Sequence, residues 1–470
     1  MFSPTIYSSY SIIDDQTALK AIKSTSEISI LKQMLPGSEK GGYYRPLLVL
    51  TQLLDNKLWK LNPKITHAEN LLLHLANALW IYLLTFLYLR KKIKLSGSSN
   101  NYPLVAALLF GLHPITTESV CWYSGRTDLL AGFFLLPAAC VAVMWLEKRQ
   151  KLFLYLSLAL IAMSILAKET GLGMLLVLPL FYGKFAGDET PTYSPPINWQ
   201  LFLLFSLSAI MIESTFMTIS FLSYPLALGY GLLLLVSYQK QQNLAGKVIV
   251  VKSAQVLGIV LLCVLGTIGL FSAIRVLTFK SNMSNIELTL QLLLHGTKYV
   301  SSLFPTVITF YLKKFILPLP NNFYIRTLGA EYYLLSTVLL FAFVEISFRR
   351  NRELVLFVTG IALLLPSLPL SLGTISWTPF AERYMYISTA FWVVAAVLYM
   401  ERHPAKGMLR GKLLFVLIAL FGCATFNRCI VWQKNETLIA DTLSHSSNNK
   451  NLKSLLIKAR EHDKSLLPDQ

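Results

Sequence analysis

Apolar stretches long enough to cross a hydrocarbon core of about 30 Å recur along most of this 470-residue chain. No other feature restricts its fold as much. Hydrophobic residues make up 54% and charged residues 14%, against about 25% charged in soluble domains, so a soluble globular fold is excluded. The expectation is an all-α, polytopic membrane protein. Its net charge of +18 points to topology rather than to nucleic acid, because Lys and Arg sit in short runs between spans, as in cytoplasmic loops beside anionic lipid.

The spans fall at 67–89, 102–118, 127–146, 151–167, 170–183, 199–221, 223–238, 248–270, 332–348, 354–371, 385–400 and 412–430, about twelve in all. The short segments 170–183 and 223–238 suit tilted or half-buried helices. Arg90-Lys91-Lys92-Ile93-Lys94, Glu147 to Lys151, Arg349-Arg350-Asn351-Arg352 and Arg402 to Lys412 share one side under this count, which the positive-inside rule makes cytoplasmic. The loops around His113, Lys168 and Arg383 then face outward. Three regions follow: an outward-facing first loop with juxtamembrane helices (1–66), the transmembrane domain (67–430) and a short helical outer tail (431–470). Parity keeps 296–317 from spanning, and its Pro305 and Lys313-Lys314 suit an interfacial or re-entrant helix. Met1 to Lys40 lacks a signal-peptide apolar run. Cys121, Cys140, Cys263, Cys423 and Cys429 form no C-x-x-C pair, and no disulfide framework or zinc site is indicated.

Polar clusters recur on the outward side. They are Asp14-Asp15, Tyr44-Arg45-Pro46-Leu47, the helical face His67, Asn70, His74 and Asn77, then His113 with Glu118, Arg126 with Asp128, Lys168-Glu169, and Glu382-Arg383-Tyr384. Ionisable groups at a membrane face are costly and usually line a polar cavity. Each cluster also has a bland reading: an Asp pair caps a helix, a His/Asn face makes interhelical hydrogen bonds, and Arg126 with Asp128 is a local ion pair. Their convergence on one side is the functional signal.

In this order these elements resemble the transmembrane O-mannosyltransferases that carry tetratricopeptide repeats, and their prokaryotic relatives, within the GT-C class of lipid-phosphate-sugar glycosyltransferases. Leu112-His113-Pro114 with Glu118 and Gly125-Arg126-Thr127-Asp128-Leu129-Leu130 are the most specific parts. Asn427-Arg428, Trp432 and Asn448-Asn449 look like the family's junction between last span and repeats, and the match covers roughly residues 11–450. That family opens with a span just before the Asp-Asp loop, whereas here Asp14 lies too near Met1 for one, which predicts a late-assigned start or a missing helix. The forty-residue tail holds little more than one repeat of about 34 residues.

The resemblance implies a GT-C-like bundle in which a polyprenyl- or dolichyl-phosphate sugar is passed, with inversion, to a protein or glycan acceptor. Asp14 or Asp15 is then the base. Arg126 and Arg383, helped by Arg45 and Lys168, bind the donor phosphate. His113, Glu118, Asp128, Glu169, Glu382, His67 and His74 orient groups or bind sugar hydroxyls. No compact ligand set demands a metal, so no cofactor is assigned and a divalent ion is left open. The short tail and unpaired cysteines favour a bacterial inner membrane over the endoplasmic reticulum. The rivals are a transporter or lipid flippase, for which 199–221 and 248–270 offer only Glu213 and Lys252, and a non-enzymatic scaffold binding partners through the tail.

Overall fold

A computed structural model describes residues 1–24, 45–96, 101–148, 150–174, 306–325, 352–372, 378–403, 407–445 and 450–465, together with Val177, Leu328 and Tyr332. Regular structure among them is helical: α1 (Asp15–Ser24), α2 (Pro46–Trp59), α3 (Pro63–Ser96), α4 (Tyr102–Gly111), α5 (Thr117–Cys121), α6 (Arg126–Lys148), α7 (Lys151–Ala167), α8 (306–316), α9 (Arg352–Leu364), α10 (Tyr386–Arg402), α11 (Gly407–Val431), α12 (Asn435–His445) and α13 (Lys450–Ser465). The expected spans 199–221, 223–238 and 248–270, and 332–348 beyond Tyr332, lie outside the described residues, as do Glu213 and Lys252.

Among the described residues, four helical stretches are long and apolar enough to cross a membrane: Pro63–Arg90, Tyr123–Lys148, Glu382–Arg402 and Gly411–Val431. The expected span 102–118 is broken, its halves Tyr102–Gly111 and Pro114–Cys121 meeting at 47°. The break has a local cause. Pro114 opens the second half, and His113 caps it by accepting the Ile115 N–H on Nδ1 at 3.3 Å. Thr116 and Thr117 hydroxyls donate to the carbonyls of His113 and Pro114 at 2.8 and 2.6 Å. The interrupted backbone is thereby satisfied inside an apolar layer, the condition for non-helical chain at that depth.

Polar bonds also join the helices laterally. Ser157 and Ser164 of α7 donate to the carbonyls of Ala138 and Ala131 in α6 at 2.8 and 2.9 Å, small residues allowing the close approach. Where α9 meets α10, the Trp392 indole donates to Phe357 O at 3.0 Å. Ile115, Phe310, Tyr311, Phe380, Met385 and Trp392 form the buried cluster that seats α8 and the Glu382 turn.

Charges sort to two ends. At one, Arg90 pairs with Glu147, Glu353 lies 3.6 Å from Arg402, and Arg352 sits over the Tyr88 ring. At the other, the N-terminal loop meets the tail. Ser9 N–H donates to Gln433 O at 3.1 Å, and the Gln433 side chain donates to Pro4 O at 3.1 Å. Asn435 is the main link: its Oδ1 accepts Ile12 N–H at 2.9 Å, while Nδ2 reaches Tyr10 O at 3.2 Å and Asp463 at 3.1 Å. Asn435-Glu436-Thr437 fits the Asn-x-Ser/Thr pattern of a glycosylation sequon, but the Asn435 side-chain nitrogen is committed to these bonds and the residue is buried. Asn435 should carry no glycan, so treatment with an endoglycosidase should leave the mass of peptides containing it unchanged.

Gly125 ends the turn from α5 to α6. A Cβ there would lie 2.4 Å from the Ser119 carbonyl oxygen and 2.8 Å from its Cα. Backbone neighbours cannot swing aside, so Gly125→Ala should destabilise by about 1–3 kcal/mol, the usual cost of overpacking. A lowered thermal midpoint in detergent is the measurement. An unchanged midpoint would mean that the turn has room to open.

Candidate active site

The loop before α1 separates the two acidic residues. Asp15 is fully buried: Oδ2 accepts Ser11 N–H at 2.9 Å, and Oδ1 accepts the Ser124 N–H at 3.1 Å and its hydroxyl. It pins the N-terminal loop to the turn preceding Arg126. Burial, only partly offset by those donors, raises its carboxyl to about 7. Asp14, next to it, keeps an open face to solvent. Desolvation by the surrounding atoms raises its carboxyl above the ordinary range, against the opposing pull of Arg383. Asp14 is thus the more accessible carboxylate and lies in the field of a guanidinium.

Arg383 is held by Glu118, which accepts one guanidinium nitrogen on Oε1 and the Arg383 backbone N–H on Oε2 at 3.0 Å. A second guanidinium nitrogen reaches Thr378 Oγ1 at 3.0 Å. The cation is flanked by two rings, with Trp122 at 4.8 Å and Tyr384 at 5.0 Å from the guanidinium carbon. Lys168 stands 5.5 Å from the same Tyr384 ring and donates to Asp128 Oδ1 at 2.6 Å. The second oxygen, Asp128 Oδ2, is buried without a hydrogen-bond partner among the described residues. Two cations therefore converge on Tyr384, and Asp14 lies within the electrostatic reach of one of them.

Of the remaining expected site residues, all but His67 are bonded to protein groups. Arg45 forms a two-pronged pair with Glu169, at 3.0 Å from Nε and 2.6 Å from the second nitrogen. Burial raises the Glu169 carboxyl, but Arg45, Lys168 and a backbone hydrogen bond together outweigh it, so the net shift is downward. Glu382 accepts Lys314 at 2.7 Å, Asn321 Nδ2 at 2.7 Å and Asn322 N–H at 3.1 Å, tying down the chain after α8. His113 Nδ1 is an acceptor, so Nε2 carries the proton and donates to Phe315 O at 3.0 Å. Asn77 donates to Tyr386 Oη at 3.0 Å, and that hydroxyl meets His74 Nδ1 at 2.8 Å. The opposite ring nitrogen of His74 donates to Gly111 O at 3.1 Å. His67 is buried with no hydrogen-bond partner for either ring nitrogen among the described residues.

Arg126 sits at the centre of a second cluster. Nε donates to Asn70 Oδ1 at 2.8 Å, Nη1 to Asp55 Oδ2 at 2.6 Å, and Nη2 to both Thr66 O and Glu69 Oε2 at 2.9 Å. Tyr123 adds a bond to Asp55 at 3.0 Å and places its ring 5.0 Å from the guanidinium. Sequence reasoning missed Asp55 and Glu69, as well as Trp122, Lys314 and Asn321. A signal was present for one of them: Asp55 is the sole acid in the Leu-rich Pro46 to Trp59 stretch. Among the described residues no group of three or more His, Cys, Asp or Glu is placed to hold a metal ion.

Fold and site together define a multi-pass helical membrane protein with a cluster of buried charge pairs beside its N-terminal loop. Within that class the chain is similar to the protein O-mannosyl-transferases, as the resemblance implied. It is 36% identical to protein O-mannosyl-transferase TMTC1 of Homo sapiens over 151 residues, 29% of this chain and 16% of the relative. Identity to TMTC3 of Homo sapiens is 28% over 179 residues (34% and 18%), and to TMTC2 of Mus musculus 39% over 105 residues (22% and 11%). The matched region thus spans less than a fifth of these relatives' length. No family model matches the chain, and no solved structure does.

Proposed function

We propose that this chain is a membrane glycosyltransferase of the GT-C type, which passes a sugar from a polyprenyl- or dolichyl-phosphate donor to a protein hydroxyl with inversion. Mannose is the sugar that the relatives' name suggests. The observation that carries this reading is the convergence of Arg383 and Lys168 on the Tyr384 ring, at 5.0 and 5.5 Å, with the solvent-open Asp14 within the electrostatic reach of Arg383. Asp14 takes the proton of the acceptor hydroxyl as its oxygen attacks the anomeric carbon. The bond from that carbon to the lipid phosphate breaks, and Arg383 and Lys168 receive the departing phosphate charge in a site of low dielectric, where each contact is strengthened. The unpartnered Oδ2 of Asp128 supplies an acceptor for a sugar hydroxyl. Arg126 is assigned to the scaffold, since its donors are taken up by protein groups. Arg45 with Glu169, and Lys314 with Glu382, border the same region as ion pairs.

The charge sorting supports an outward site: the Arg90 end is cytoplasmic, and the end where the N-terminal loop meets the tail faces the lumen. The relatives named above are animal proteins, which favours the endoplasmic reticulum over a bacterial inner membrane. Reporter fusions after Lys94, Lys151, Arg352 and Lys412 should report cytoplasm, and fusions after Glu118 and Ser447 the opposite side. A cytoplasmic signal at Ser447 would break this orientation.

The activity is tested with the full chain in vesicles, a synthetic dolichyl-phosphate mannose and a Ser/Thr peptide. Mannosylated peptide is the expected product. Donor movement across the bilayer with no glycosylated product would replace this reading by the flippase.

A further inference from the structure

Five cysteines are scattered through the sequence, yet two of them meet in space. Cys121 closes α5, the outer tip of the broken span, and Cys429 lies near the end of α11. Their Sγ atoms are 3.3 Å apart although 308 positions separate them in the chain, and both residues are buried. A disulfide needs about 2.05 Å between sulfurs, so the pair must close by roughly 1.3 Å, a shift within reach of small side-chain rotations. The other described cysteines are placed differently, Cys140 against the Trp80 carbonyl and Cys423 exposed. The surroundings add a polar group: Thr5 Oγ1 lies 3.2 Å from Cys121 Sγ and is itself buried.

Both thiols sit at the end of the bundle that carries the Asp14 loop. Cys121 precedes Trp122, whose ring stacks on Trp432 at 6.3 Å while Phe323 stands edge-on to both. We propose that Cys121 and Cys429 are oxidised to a disulfide that ties the tip of the broken span to the last span. The compartment argument rests on the outward orientation proposed above, since disulfides form and persist in the lumen or periplasm and are rare in the cytosol.

The reaction is thiol–disulfide exchange with a disulfide oxidant of that compartment. One cysteine loses its proton, and its thiolate attacks the oxidant to give a mixed disulfide, releasing one thiol. The second cysteine, also deprotonated, attacks the first sulfur and expels the other half as a second thiol. Two cysteine thiols are oxidised and one disulfide is reduced to two thiols. Burial in the finished bundle places the exchange before the helices close over the pair. The bridge holds Trp122, and with it the platform under Arg383, against the start of the tail.

The test uses the full chain in its native membrane and reads no activity, so its failure is separable from failure of the transferase reading. Free thiols are blocked with N-ethylmaleimide in denaturant, and the protein is then reduced and labelled with a polyethylene-glycol maleimide. Two of the five cysteines should take the label only after reduction, and a non-reduced digest should yield a peptide joining Cys121 to Cys429. Cys121→Ser and Cys429→Ser should each abolish that label, a loss of both mass steps at once. Five thiols blocked without reduction, or a bridge to any other cysteine, would overturn the proposal.

Discussion

Asp14→Asn should lower sugar transfer by about 10²–10⁴-fold, the usual range for loss of a general base, while expression and thermal midpoint stay near wild type. An amide cannot take the acceptor's proton, and Asp14 faces solvent with few structural ties to lose. Asp15→Asn should behave differently. Its carboxylate accepts from Ser11 and twice from Ser124, and an amide turns one NH₂ toward those donors, so the loop loosens and the midpoint falls. Activity and stability thus separate the two residues. The pH dependence gives a second handle. A base must be ionised, and the Asp14 carboxyl is raised by its desolvated position. Transfer should therefore decline as pH falls through that raised value, an acid limb that Asp14→Asn removes. Asp15 acts in the opposite sense on stability: with a folded value of about 7, above its unfolded value, its contribution is fully present below the unfolded value and is lost as pH rises through about 7. Undiminished transfer by the Asp14→Asn protein would end this assignment of the base.

What could be read in advance follows from range. Helices Pro63–Arg90, Tyr123–Lys148, Glu382–Arg402 and Gly411–Val431 were legible because hydrophobic length is a property of consecutive residues. The fracture at His113-Pro114 was written in the sequence as well, but an apolar count runs across it. Capping by His113 and the Thr116 and Thr117 hydroxyls is what makes the break tolerable, and it ties His113 to the hinge. Pairing was far less legible. Arg126 and Asp128 look like partners two residues apart, yet Arg126 bonds to Asp55 and Asp128 to Lys168. Side chains at i and i+2 on a helix point to different faces, so each seeks a partner on another element, and such partners depend on how helices pack. The same holds for Cys121 and Cys429.

Arg126 should be the most costly single residue to remove. Arg126→Ala is expected to destabilise by about 3–5 kcal/mol, the cost of leaving one half of a buried ion pair unpaired. Asp55, with a side chain 3% exposed, would then keep only Tyr123 and a second carboxylate, Glu69, for company. Arg126→Lys should recover part of the loss, because an ammonium restores the charge but cannot reach Asn70, Asp55, Thr66 and Glu69 together as the planar fork does. Adding Asp55→Asn to Arg126→Ala should cost less than the sum of the two changes, since the stranded charge is gone. The pH dependence has a defined sign. Burial already raises the Asp55 carboxyl against the pull of Arg126, and deleting Arg126 raises it further. The variant should therefore regain stability relative to wild type as pH is lowered and Asp55 is neutralised. Thermal midpoints in detergent at two pH values, read by fluorescence-detected size exclusion, supply the comparison. Were Arg126 a donor-phosphate ligand instead, Arg126→Ala would weaken donor use at an unchanged midpoint, and the scaffold assignment would fall.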